Sequence, residues 1–195
     1  AFDAYEKLDH DPESGVLWAP CWAHARRKFE ELQPADDPTR LTVLTLMRAL
    51  FRFERIAWQS DAEDRMRIRA RHETPLVDRL FATLREKLLS GELLPQSRLA
   101  KAIGYILGRE EKFRRYLRDP NLRMDNNTAE RALRKLTIGR KNWLFIGSPK
   151  AGESMAALLS LVQTCRAMDI RPWDYLTDIF DRLLDHPATR LVELF

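Results

Sequence analysis

Cysteine, histidine and long apolar runs are all scarce in this sequence, and each scarcity excludes a class of protein. The two cysteines, Cys21 and Cys165, are too few for a disulfide framework and form no Cys-x-x-Cys pair. The four histidines are scattered without the spacing of zinc ligands. Neither a signal peptide nor an apolar run long enough to span a bilayer is visible. We therefore expect a protein of the reducing cytoplasm.

What the sequence does contain is a large share of apolar and charged residues. Of its 195 residues, 45% are apolar, which is enough to build a sizeable core, and 32% are charged, which is typical of long solvated helical faces. A chain of this length corresponds to one domain, or to one domain with an insertion. The formal net charge of +4 is mildly basic and does not by itself establish a nucleic-acid partner.

The basic excess is concentrated in one short segment, residues 121–150. This segment contains seven basic and two acidic residues, a net charge of +5, which leaves −1 for the rest of the chain. A polyanion is expected to dock where positive charge is concentrated. Trp143 and Phe145 stand beside the basic residues 140 and 141; such aromatic side chains can stack on an unpaired base, although they are more often core residues.

The apolar periodicity predicts a chain that is mostly helical. Residues 15–22 form a short apolar run that we interpret as a buried strand. Thr74-Pro75 and Ser97 have the sequence features of helix starts, and residues 119–127 those of a turn. Helices are predicted at about 23–32, 39–58, 61–72, 74–88, 97–107, 109–118, 128–137, 152–168 and 172–185.

Glu130 stands near the start of one of these helices, and its position permits two interpretations. Ala129 and Leu133 share a core-facing stripe, and Glu130 lies with Arg134 on the flank beside it. A carboxylate there can bind a metal ion while neighbouring basic side chains hold phosphates. Alternatively, Glu130 completes a capping box with Asn127 or forms an i, i+4 ion pair with Arg134. Periodicity alone favours the second, structural interpretation.

Three blocks of sequence resemble the insertion-sequence-66 (IS66) family of transposases. They are CWAHARRKF at 21–29, DNNTAERALR at 125–134 and GRKNWLFIGS at 139–148. The order of the blocks and the helical spacer between the first two also fit, and the resemblance extends over nearly the whole chain. The second and third blocks together are long and specific.

The resemblance implies a ribonuclease-H-like catalytic fold whose DDE-type site consists of two aspartates and a glutamate. The glutamate of the family's Asn-Asn-x-x-Glu-Arg block corresponds to Glu130, which is therefore the expected catalytic residue and metal ligand. The second aspartate is expected immediately before Ala1 and the first further upstream, since Asp3 is in the wrong register. A pair of Mg²⁺ or Mn²⁺ ions needs more than one carboxylate. We therefore expect the chain alone to be inactive, although its parent protein is an enzyme.

The expected fold class is an α-rich α/β structure, a partial ribonuclease-H-like domain interrupted by a helical insertion. Residues 1–37 would form the end of the sheet and the first helix, residues 38–120 the insertion, and residues 121–195 the catalytic-glutamate helix, the basic segment and the C-terminal helices. His24 is an accessory candidate that would orient a phosphate or a metal-bound water, or else a packed helix-start residue. The candidate DNA contacts are Arg26, Arg27, Asn126, Arg131, Arg134, Lys135, Arg140, Lys141 and Asn142. The alternative roles are a solvated helix face for the arginines of the first block and helix capping for Asn126.

The implied function is metal-dependent DNA strand cleavage and strand transfer in a bacterial cytoplasm. The expected partners are transposon ends and target DNA, further protomers in the DNA complex, and accessory transposition proteins, with no membrane. Two alternatives stay open: a non-catalytic DNA-binding remnant of a truncated transposase, and a helical protein-interaction module. The interaction module predicts no loss of DNA binding when Arg134, Arg140 and Lys141 are all replaced by Ala.

Overall fold

The computed structural model describes residues 6–9, 13, 15–33, 37–131, 134 and 147–194. Within these residues all regular structure is helical, and no β-strand is formed. The chain divides into two compact units, Ala1–Asn127 and Thr128–Phe195. No helix in the described part is both long and apolar enough to cross a membrane.

The first unit is a set of packed helices connected by short turns. They are α1 (Trp22–Glu30), α2 (Pro38–Ala57), α3 (Ala62–Ile68), α4 (Thr74–Leu89), α5 (Arg98–Leu107) and α6 (Glu110–Arg114), with a π-helical turn at Arg69–Glu73 and a 3-10 turn at Arg115–Leu117. Helix α2 packs against α1, α3 and α4, and α5 packs against α1 and α4. The helices predicted over 23–32, 39–58 and 97–107 are confirmed, with small shifts at their ends.

Local sequence explains where α2 begins and which side it buries. Asp37 Oδ1 accepts a hydrogen bond from the Thr39 N–H at 2.7 Å, and Pro38 occupies the first turn, where its missing N–H costs nothing. The apolar residues on its buried face are Val43, Met47, Leu50 and Ala57. Burial of a large side chain of this kind stabilises the fold by roughly 1.5–3 kcal/mol relative to exposure. The opposite face is left to solvent.

The sequence predicts that one helix ends near residue 72 and another begins at Thr74, but the structure joins them. Helix α3 passes through the π-turn into α4, and the residues at the junction keep right-handed helical dihedral angles. Pro75 has no N–H to bond the carbonyl four residues before it, and the wider turn accommodates this loss. The Thr74 hydroxyl donates to the Arg69 carbonyl at 3.2 Å. The predicted break between the two helices is therefore wrong.

Trp22 lies at the centre of the core of the first unit. Its ring is fully buried, 4.7 Å from the Phe113 ring centroid and 6.4 Å from those of Phe81 and Tyr116. Its Nε1 donates to the Phe113 carbonyl at 3.2 Å, so the polar atom of the buried indole has a partner. Helix α1 is thereby anchored in the helical unit.

Residues 15–21 have no regular structure and pair with no strand among the described residues, so the strand predicted over 15–22 is wrong. An apolar run forms a strand only where a neighbour completes its backbone hydrogen bonds. Here side chains complete the backbone hydrogen bonds of Trp18: its N–H donates to Asp9 Oδ1 at 2.9 Å, and its carbonyl accepts from Arg115. The Arg115 guanidinium also holds the pKa of Asp9 at about 2, against the effect of burial.

The second unit is helical as well. It contains helical residues 128–131 and 134, helices α7 (Pro149–Ala167) and α8 (Pro172–Leu183), and a 3-10 segment at Ala188–Leu194. Ser148 caps α7, since its Oγ accepts from the Ala151 N–H at 3.1 Å. Gly147 precedes the cap with a φ of 85°, a left-handed conformation that glycine adopts at little cost. The two closing helices predicted from the sequence are confirmed, with α7 beginning earlier than predicted.

Candidate catalytic helix and DNA-contact residues

Residues 116–126 form the loop that leads to Glu130, and two buried arginines hold its backbone. Arg69, in the π-turn, donates to three loop carbonyls at 2.6 to 2.9 Å, those of Tyr116, Asp119 and Leu122. Arg65, one helical turn earlier, donates to the Pro120 carbonyl at 2.8 Å. The loop is therefore positioned by charge-assisted hydrogen bonds to its main chain, independently of its side chains.

Arg69 has no exposed surface, and its burial is possible because Glu54 neutralises it. Both oxygens of the Glu54 carboxylate accept from Arg69, at 2.6 and 3.0 Å, and the Trp58 indole donates to the same carboxylate at 2.8 Å. With the three carbonyls, all five N–H groups of the guanidinium have acceptors. A buried ion pair is tolerated only when its remaining polar atoms are satisfied in this way.

These buried charged residues are not among the predicted site residues, although the sequence carries a signal for one of them. Glu54 falls on the apolar face of α2, and a charged residue at such a position is expected to have a buried partner. Arg65 and Arg69 are harder to recognise because the segment 61–73 carries charges on every side of its helix. The helical periodicity of α2 therefore identifies Glu54 as a buried charge, but it does not identify the loop carbonyls that the two arginines bind.

The helix that contains Glu130 begins at Asn127. The Asn127 N–H donates to Asp125 Oδ1 at 3.0 Å, a side-chain bond of the kind that fixes a helix start. Glu130 and Arg131 follow in the first turn, and both are exposed. Arg131 reaches back to the Thr128 hydroxyl at 3.4 Å. An exposed acidic residue and an exposed arginine thus follow each other near the start of this helix.

Of the other predicted DNA contacts in this region, two are described. Arg134 is exposed, one helical turn after Glu130. Asn126 is half-buried; its side-chain oxygen and nitrogen are inaccessible to solvent and have no hydrogen-bond partner among the described residues. It is one of the residues that line an open groove of about 480 Å³ between residues 16–21 and 122–126. Four predicted contacts lie outside the described residues: Lys135, Arg140, Lys141 and Asn142.

The three candidates from the first block lie on α1. His24 is exposed. Arg26 is paired with Glu30 and Arg27 with Glu31, each at 2.8 Å across one helical turn. Exposed pairs of this kind contribute only a few tenths of a kcal/mol and open readily, so they do not prevent contact with phosphates. They do mean that α1 offers little net positive charge.

Among the described residues, no group of three or more acidic, histidine or cysteine side chains lies close enough together to hold a metal ion. The Glu130 carboxylate offers the kind of oxygen ligand that a hard divalent cation prefers, but a stable metal site needs further carboxylates. The described residues by themselves therefore form no complete site for the expected pair of ions.

Comparison with known families gives two matches that together cover nearly the whole chain. Residues 1–154 match the family described as "Transposase IS66 family", and residues 160–195 match the "IS66 C-terminal element". Glu130 and every predicted DNA contact fall within the first match. No solved structure is detectably similar to the chain.

Three similar curated proteins come from Sinorhizobium fredii (strain NBRC 101917 / NGR234), and all are named as uncharacterized. Protein y4hP is 36% identical over 192 residues, which cover 92% of this chain and 34% of that protein. Protein y4qI is 36% identical over 181 residues, and y4jD is 31% identical over 177 residues. The chain spans about a third of the length of these relatives.

Proposed function

Because this chain belongs to the IS66 family of transposases, we propose that it carries the catalytic glutamate of a DNA transposase and part of its DNA-binding surface. The observation that supports the proposal best is the position of Glu130. Its carboxylate is exposed in the first turn of a helix that also presents Arg131 and Arg134, within the part of the chain that matches the transposase family. The loop before this helix is held by the buried Arg69.

Glu130 would act as a metal ligand in the cutting and joining of DNA strands. With two aspartates from the full-length protein, it would hold Mg²⁺ or Mn²⁺ ions that activate a water or a DNA 3′-hydroxyl and stabilise the leaving oxygen. Arg131 and Arg134 would hold phosphates beside the carboxylate without reading the base sequence. Asn126, the basic residues at 135 and 140–142, and the cations of α1 are the remaining proposed contacts.

The fold of the complete catalytic domain is also part of the proposal. A ribonuclease-H-like α/β domain, interrupted by the helical residues 38–120, would place residues 1–37 and 121–195 in one catalytic core. The described residues form no strand, so the sheet of such a domain would have to come mainly from other parts of the full-length protein. Action in the bacterial cytoplasm, assembly of several protomers on DNA and help from accessory proteins are proposals of the same kind.

A non-catalytic DNA-binding role is the second candidate. The observation in its favour is that the described residues bring together no cluster of metal ligands. The two candidates agree on DNA binding and differ on chemistry, so a cleavage assay separates them.

The test of the proposed function is the metal dependence of DNA cleavage. The longest reading frame that encodes these residues is expressed and incubated with DNA carrying the ends of its own element. We expect strand cleavage with Mg²⁺ or Mn²⁺, its complete loss on chelation with EDTA, and its recovery when the ion is restored. Cleavage that persists under EDTA would contradict the proposal. Tight DNA binding with no cleavage under any divalent ion would favour the non-catalytic role.

A further inference from the structure

The solvent face of α2 carries three arginines in a row. Arg48, Arg52 and Arg55 are spaced at i, i+4 and i+7, and all three are exposed. At about 100° per residue they fall within roughly 60° of one another, on the side of the helix opposite to the buried residues Met47 and Leu50. They span about 10 Å along the helix axis, at 1.5 Å per residue.

None of these three side chains has an acidic partner among the described residues. None of them makes an ion pair or a side-chain hydrogen bond with a described residue. The exposed arginines that do have acidic partners include Arg27, Arg67, Arg85 and Arg118. The positive charge of α2 is therefore left uncompensated by the described part of the chain.

The sequence of α2 explains why compensation is absent. Glu54 is the one acidic residue in Pro38–Ala57, and it is buried and bound to Arg69. Like charges one helical turn apart destabilise a helix by about 0.2–0.5 kcal/mol per pair. Arg48 with Arg52, and Arg52 with Arg55, form two such pairs. A polyanion bound along this face would offset the repulsion between the guanidinium groups, because each of them would then lie beside negative charge.

We infer that the Arg48, Arg52 and Arg55 face of α2 binds the phosphate backbone of duplex DNA, as a second contact surface apart from the Glu130 helix. The inference rests on the proposed function only in taking DNA as the polyanion. Arginine favours this ligand because its planar fork can donate two hydrogen bonds to one phosphate. The stripe contains no aromatic side chain that would stack on a base, so it contacts the backbone of a duplex rather than single-stranded bases.

The experiment measures binding of the 195-residue chain to a fluorescein-labelled duplex of mixed sequence, about two helical turns long, across NaCl concentrations from about 50 to 200 mM. The variant is R48A/R52A/R55A, whose exposed substitutions preserve helix propensity. We expect its affinity to fall roughly tenfold or more, and the slope of log K against log salt to become shallower by about 2 to 3 units. R48K/R52K/R55K keeps the three charges and should retain most of the affinity.

The matched control is R67A/R85A/R118A, which removes the same charge from exposed arginines that already have acidic partners. It should lower the affinity and the slope much less than the α2 variant does. Equal effects of the two triple variants would overturn the inference but leave the proposed function standing, because the wild-type chain would still bind DNA. Absence of duplex binding by the wild-type chain would count against both. Tighter binding to an RNA duplex of the same length would overturn the assignment to DNA.

Discussion

At the scale of single residues, Glu73 in the cluster around Arg69 has a strongly altered pKa. It has no exposed surface, and neither carboxyl oxygen accepts a hydrogen bond of normal geometry from the described residues. Burial raises the pKa of Glu73 from 4.5 to about 8, and the neighbouring Glu54 carboxylate adds to the rise. The side chain is therefore neutral at pH 7 in the folded protein, whereas in the unfolded chain it is ionised.

We predict that Glu73 makes the folded state less stable as the pH rises. Because its pKa is higher in the folded state, its contribution to stability is fully present below about pH 4.5 and is lost as the pH approaches 8. Glu73→Gln imitates the neutral form and should remove this loss. Urea unfolding should show the variant and the wild type similar near pH 5, and the variant more stable at pH 9 by on the order of a few kcal/mol.

The control for this prediction is Glu86→Gln, which changes an exposed glutamate on α4. It should run parallel to the wild type across the same pH range. A Glu73→Gln curve that is also parallel would mean that Glu73 is ionised in the folded state at pH 7, and that the buried cluster holds three charges rather than two.

At the scale of elements, the sequence predicts helices well and their connections poorly. The helix start at Ser97 depends on local chemistry that the sequence displays, and the structure confirms it. The loop 116–126 depends instead on Arg69, which is 47 residues away from the first carbonyl that it binds. Contacts between residues so far apart in the sequence produce no periodic pattern of apolar residues. The failed strand at 15–22 has the same cause, because a strand is defined by a partner elsewhere in the chain.

We predict that Arg69 holds the loop before the Glu130 helix. Arg69→Met leaves the Glu54 carboxylate buried without its partner, which should destabilise the first unit by about 3–5 kcal/mol. The double variant E54L/R69M removes both charges and should recover part of this stability. The loop carbonyls still lack their donors in the double variant, so hydrogen exchange of amides at 118–126 should remain faster than in the wild type. Exchange of α5 amides provides the internal reference. Loop amides that exchange as slowly in the double variant as in the wild type would show that Arg69 does not hold the loop.

At the scale of the whole molecule, the family could be recognised from sequence blocks, whereas the candidate site could be only partly assembled. Glu130, Arg131 and Arg134 are exposed helical residues, but Ala129, which the sequence assigns to a core-facing stripe, is exposed as well. The three arginines of α2 are visible in the sequence, but only the structure shows that no acidic side chain of another described element pairs with them. Among the described residues, no group of three or more potential metal ligands is brought together.

The most direct measurement of the central claim is the cleavage of element-end DNA by the full-length protein after Glu130→Gln. This substitution keeps the shape of the side chain and removes the charge that a metal ion needs. Cleavage in Mg²⁺ should fall by at least ~100-fold, since a lost ligand costs several kcal/mol of transition-state stabilisation, while DNA affinity stays close to that of the wild type. Glu153→Gln, which changes an exposed glutamate on α7, should leave both unchanged. Cleavage by the Glu130→Gln protein at the rate of the Glu153→Gln control would show that Glu130 is not a metal ligand.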